Sequence, residues 1–262
     1  MIIEFKSFMR VIEEDYRAYV TELPDRETLC RPFVHRWSYL LVVVSLGIVT
    51  TILTSFFAQK GTGFVEWFEL IIEEDGFWEM VTAINLLLSG VFLLSSGLKN
   101  RGYFSKRFSF VPQVMLGFML CIAAGEELSW GQHWLGFGTP EMLKTANEQS
   151  EFTLHNINTS LANHLMVLFF VVFVGVLPLL HHYFVEIRYI VDRLGIPIAP
   201  LAFVPYGFIS PALHEYAFYG STHLGFLGEL REALFSCVML GIGINTWLIW
   251  KKYRLEKERE RT

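Results

Sequence analysis

The sequence predicts an all-α, polytopic integral membrane protein: a helical bundle of about six transmembrane helices with both termini cytoplasmic. Three observations carry this. Of the 262 residues 53% are hydrophobic and 16% aromatic, and the mean hydropathy of +0.40 is too apolar for a soluble domain of this size. Apolar runs long enough to cross a hydrocarbon core of about 30 Å recur along the chain. The 21 Lys and Arg residues are divided very unequally between alternate loops.

Residues 1–37 are charged and hold no apolar core of signal-peptide length, so they read as an amphipathic arm on the cytoplasmic face, with the first span acting as its own insertion signal. Expected spans follow at Ser38–Ala58, Phe77–Gly97, Phe108–Ala124, Ala162–Leu180, Pro197–Leu213 and Ala233–Trp250, which together make residues 38–250 one membrane domain. The fifth contains Pro197, Pro200, Pro205 and Pro211 and is expected to be kinked or partly unwound, because each proline removes a backbone donor. Residues 251–262 form a basic cytoplasmic tail that anchors against anionic lipid.

The arm and the tail hold six Lys and Arg each, loop 98–107 holds four and loop 181–196 two, whereas the alternate connectors hold only Lys60, Lys144 and Arg231. Cytoplasmic loops retain such residues, so three connectors are expected outside, in a bacterial inner membrane. Glu256, Glu258 and Glu260 interrupt the basic tail, which makes it a poor nucleic-acid patch; membrane lipids are the expected partners. Cys30 falls inside and Cys121 and Cys237 within spans, so no disulfide framework is expected.

Carboxylates and histidines collect on the expected outer side. The Glu66–Asp75 cluster reads as a solvated face, since translocated loops lack Lys and Arg. The stretch Gly125–Trp134, GEELSWGQHW, is harder to explain that way. If the third helix continues through it, Glu126, Ser129 and His133 fall on one stripe, beside a second stripe with Glu127, Trp130 and Trp134. Paired carboxylates at a span end need water, a cation or a proton, and like-charge proximity would raise the pKa of one of them. Glu126 and Glu127 are thus candidate general bases.

The connector continues as GTPEMLKTANEQSEFTLHNINTS. Thr139 and Pro140 read as the cap and first residue of a short helix ending near Asn147. If helix resumes, Glu148, Glu151 and His155 repeat the stripe, with Glu151 and His155 spaced to hold one divalent metal, zinc or iron, joined by His133. Ser129, Gln132, Asn147, Gln149 and Asn156 are candidate supporting residues, and His214 can reach the site from the fifth span. His214-Glu215 opens like a zinc-protease helix, but Phe218 stands where the second histidine belongs. Asn158-Thr159-Ser160 has the form of a glycosylation sequon but lies too close to a span to be given a role. Glu229 and Glu232 are expected in the first turn of the last span, where carboxylates favour the helix dipole.

GEELSWGQ followed by NEQSEFTLHN resembles the central block of a family of uncharacterised bacterial polytopic membrane proteins. The resemblance rests on Gly125, Glu126, Glu127, Ser129, Trp130, Gly131, Gln132, Thr139, Pro140, Asn147, Gln149, Glu151, His155 and Asn156, and it implies no activity. Glu126-Glu127 also has a distant likeness to the paired glutamates of CAAX-processing and bacteriocin-immunity intramembrane proteases, although Gly131 stands where their arginine belongs. These readings favour an outward-facing, membrane-embedded hydrolase acting on a lipid or a membrane-anchored peptide. The alternatives are a proton-coupled carrier and a non-catalytic assembly subunit.

Overall fold

A computed structural model describes residues 13–14, 16–17, 77–100, 110–147, 152–209, 211 and 226–259, and among these the regular structure is entirely helical. The elements are α1 (Phe77–Asn100), α2 (Val111–Glu127), a 3-10 turn at Ser129–Gly131, α3 (Gln132–Leu135), α4 (Glu141–Ala146), a 3-10 turn at His155–Ile157 and α5 (Thr159–Phe170). A π-helical segment, Val171–Val176, joins α5 to α6 (Leu177–Tyr183), followed by α7 (Val185–Leu194), a 3-10 turn at Leu201–Phe203, a short helix α8 over 204–209 and the long α9 (Phe226–Arg259).

Three stretches are long and apolar enough to cross a membrane: Glu79–Lys99, Thr159–Tyr183 and Arg231–Lys252. The 17 residues of α2 reach only about 25 Å at 1.5 Å per residue, short of a full hydrocarbon core. The expected first span lies outside the described residues. The expected fifth is broken: the chain is irregular over 196–200, turns at Leu201–Phe203 and becomes helical only at 204. Prolines 197, 200 and 205 supply the reason, since each withholds a donor that a continuous helix needs.

Side-chain contacts fix the directions of the helices. Asn85 donates to Ser236 at 3.2 Å, Ser89 donates to the Met239 carbonyl at 2.6 Å, and Phe92 packs on Trp247, so α1 and α9 run parallel. Gly90 meets Gly117 and Cys121 while Gly97 meets Gln113, so α2 runs back along α1. Arg231 reaches Asn163 and Phe235 packs against Phe170 with the rings tilted, so α5 runs with α9. The starts of α1, α5 and α9 and the end of α2 therefore share one end of the bundle. The opposite end holds Lys99, α7 and the basic stretch of α9.

Packing between these helices follows from their surroundings. Lipid tails are as apolar as leucine, so helices associate through close approach and interhelical hydrogen bonds. A Cβ on Gly90 would stand 2.7 Å from the Gly117 carbonyl oxygen, an approach only a residue without a side chain permits. Leu86, Leu93, Leu120, Phe170, Val174, Phe203 and Ile242 form the core. Ile84, Leu87 and Val91 on α1, Phe118 and Met119 on α2 and Leu161, Leu165 and Leu168 on α5 are exposed, which makes the outer faces of these helices lipid-like in composition.

At the basic end, Gln113 accepts from Ser96 and donates to the Gly195 carbonyl, tying α1, α2 and the end of α7 together. The Tyr16 ring of the N-terminal arm meets Tyr189 of α7 edge-on at 5.3 Å. The π-helical segment ends just ahead of Pro178, which has no N–H to offer the Val174 carbonyl.

Candidate functional site

The α2 helix stops at Glu127 because the next residues reverse its hand. Ser129 (φ 44°), Trp130 (φ 54°) and Gly131 (φ 78°) are all left-handed. Left-handed backbone costs an L-residue about 1–2 kcal/mol, so two non-glycine residues there need compensation. Trp130 provides it: its indole folds back over Gly125, and its Nε1–H donates to Glu126 Oε1 at 2.8 Å. A Cβ on Gly125 would stand 2.9 Å from two ring atoms, so the glycine makes room for the indole. The expected continuation of the helix is thus corrected: Glu126, Ser129 and His133 do not lie on one helical stripe, and His133 falls in the separate α3.

Glu126 is the hub of the arrangement that results. Its Oε2 accepts from the Leu154 backbone N–H at 2.6 Å and from the His155 N–H at 3.1 Å, and His155 Nδ1 lies 3.4 Å away. The carboxylate side chain is 11% exposed and the imidazole 40%. Burial alone would raise the carboxyl pKa, but the donors from Trp130, Leu154 and His155 outweigh it and hold Glu126 below its ordinary value. The raised pKa that proximity suggests for one of the glutamate pair does not fall on Glu126, which is held as the anion. In the Nδ1–H tautomer the His155 ring can donate to this anion.

Two further side chains complete the frame. Gln132 Nε2 donates to Thr139 Oγ1 at 2.7 Å, and its Oε1 accepts from the Phe152 N–H at 2.8 Å. Asn147 Nδ2 donates to the Thr153 carbonyl at 2.7 Å and to its Oγ1 at 3.0 Å. Between them, Glu126, Gln132 and Asn147 satisfy backbone groups of four consecutive residues, Phe152 to His155. Thr139, Asn147, Thr153 and Asn156 are all buried, as is Ser129. Thr139 receives Gln132 instead of capping α4, whose flanking residue is Pro140, while Asn147 ends that helix as expected.

Phe152–Leu154 are not helical, so the expected helical row ending at His155 is not formed; His155 opens a 3-10 turn instead. Glu127 is half-buried at the end of α2. Glu148, Gln149, Glu151 and His214 lie outside the described residues, as does the side chain of His133. Among the described residues no three His, Cys, Asp or Glu side chains converge to hold a metal. The structure therefore brings together Glu126, Gln132, Asn147 and His155 from the expected set.

Three features were not anticipated. Asn158, set aside as part of a sequon, caps α5 by accepting from the Leu161 N–H at 2.9 Å; an Asn before a fresh apolar run was the available signal. Trp130 serves as a hydrogen-bond donor to Glu126. Glu232, expected to answer the helix dipole, pairs at 2.7 Å with Arg231, which is buried and also donates to Asn163. His164 bonds locally to the Ser160 carbonyl.

The chain matches no family model, no curated protein and no solved structure.

Proposed function

We propose that the Glu126 end of the bundle is the outward-facing site of a membrane-embedded hydrolase acting on a lipid or a membrane-anchored peptide. In this reading the chain has six spans in a bacterial inner membrane with both termini cytoplasmic, as the Lys and Arg distribution favours. The observation that carries it is the couple of a half-buried, ionised Glu126 and an exposed His155. A carboxylate on one ring nitrogen orients an imidazole, leaving the other nitrogen to take a proton from water. His155 is then the general base and Glu126 its positioning residue; Glu127 is a further acid/base candidate. If a divalent metal takes part, His155 would hold it with Glu151 and His133, and Glu126 would be the carboxylate that orients a metal-bound histidine.

The test is turnover of bacterial phospholipids and acylated peptides in liposomes, followed by mass spectrometry of the products. His155→Ala should reduce turnover about 10²–10⁴-fold, the usual contribution of a general base. Turnover unchanged in His155→Ala, or none by the wild type, removes the reading.

A second reading, a proton-coupled carrier, is favoured by one feature. The π-helical Val171–Val176 packs through Gly175 onto Gly207 of the broken 196–209 segment, and interrupted helices at matching depth are typical of carriers. Proton-driven flux that changes with Glu126→Gln and is untouched by His155→Ala would select this reading.

A further inference from the structure

The connector between α2 and α5 is too apolar for a loop in water. Over its 31 residues, 128–158, Lys, Arg, Asp and Glu occur four times, as Glu141, Lys144, Glu148 and Glu151, and Glu141 pairs with Lys144 at 3.2 Å. Large apolar side chains stand out from it: Trp134 is 62% exposed, Leu135 76%, Met142 85% and Leu154 64%. In a water-facing loop these would be the groups turned inward. Here the inward positions belong to Ser129, Thr139, Asn147, Thr153 and Asn156. The polar side is inside and the apolar side outside, the arrangement suited to an apolar solvent.

The backbone repeats this pattern. Irregular chain in contact with water lets water satisfy its N–H and C=O groups, but at membrane depth those groups need protein partners. Phe152, Leu154 and His155 give their N–H groups to Gln132 and Glu126, and the Thr153 carbonyl accepts from Asn147. The flanking helices also expose apolar side chains. These are Phe118, Met119 and Ile122 on α2 and Leu161, Leu165 and Leu168 on α5.

We infer that residues 130–147 and 152–157 are a membrane-seated wedge, with Trp134, Leu135, Met142 and Leu154 inserted among the phospholipid acyl chains of the leaflet at the Glu126 end. The Glu141–Lys144 pair marks the headgroup level, and the indole of Trp134 sits at the boundary where tryptophans concentrate. The wedge is independent of any catalytic role for His155. It follows from the apolar exterior and the side-chain-satisfied backbone alone.

The experiment uses the full-length chain in phosphatidylcholine liposomes with an environment-sensitive fluorophore on Met142→Cys, the native cysteines being replaced by alanine. A wedge gives quenching by phosphatidylcholine brominated near the top of its acyl chains and loss of quenching by aqueous iodide. Iodide quenching equal to that of a probe on the basic tail, with no effect of bromolipid, overturns the inference. So does shielding that disappears when the protein is diluted in lipid, because the cover is then a second copy. Should the cysteine-free protein fail to fold, the difference in tryptophan quenching between wild type and Trp134→Phe supplies the same two readings.

Discussion

Replacing Glu126 by glutamine keeps the size and shape of the side chain and removes one acceptor oxygen and the charge. In the native protein Oε1 serves Trp130 while Oε2 serves Leu154, His155 and the His155 ring. An amide has one oxygen, so either the indole N–H or the Leu154 and His155 amides must face an NH₂ group. The less costly orientation keeps the two backbone bonds, now without charge assistance, and forfeits the indole bond. With hydrogen bonds to charged groups worth about 1.5–3 kcal/mol and neutral ones about 1, the total loss is about 2–4 kcal/mol, roughly 30- to 900-fold in the local opening constant. Hydrogen exchange at the Leu154 and His155 amides in nanodiscs reads that constant directly. Faster exchange confined to the connector is expected. Exchange within about threefold of wild type would refute the view that Glu126 organises this segment, since that corresponds to well under 1 kcal/mol.

The same side chain predicts a pH dependence whose sign is fixed. The folded pKa of Glu126 lies below its ordinary value, so its contribution is fully present above the unfolded glutamate pKa of about 4.3 and is lost as the pH falls through the folded value. The wild-type connector should open on acidification below that point, and Glu126→Gln should abolish this component.

Gly125→Ala places a methyl 2.9 Å from the Trp130 ring and should cost about 1–3 kcal/mol as the indole is displaced, seen as a lower melting temperature and a red-shifted tryptophan emission. Asn158→Ala removes the cap of α5 and should cost about 1 kcal/mol, with Asn158→Ser largely restoring it in the same melting assay. Ser89→Ala deletes the bond to the Met239 carbonyl; interhelical bonds of this kind average about 0.6 kcal/mol in a bilayer, so a small fall in stability is expected, readable by steric trapping or unfolding in mixed micelles.

The helical class and the apolar stretches were legible because they depend on local composition: a run of about twenty apolar residues has few ways to satisfy its backbone in lipid other than a helix. Gln132 and Asn147 stood out by residue type, but their bonds to the Phe152 N–H and to Thr153 were not legible. What could not be read was the turn. Helical periodicity extends the α2 stripe through Ser129 to His133, and nothing in that pattern announces two left-handed non-glycine residues. They are tolerated because Trp130 finds both a flat glycine surface and a carboxylate four residues back, a contact that exists only once the chain has reversed.

The sequence by itself determined that the described chain is helical and carries stretches long and apolar enough to cross a membrane, because burial in hydrocarbon is a property of each residue added along a segment. Only the tertiary structure decided that Glu126 faces Leu154 and His155, 28 and 29 residues on, and is held as an anion. Hydrogen bonds between distant segments depend on where the connector folds back, and the energy of that fold is shared among Trp130, Gln132 and Asn147 with no periodic trace in the sequence.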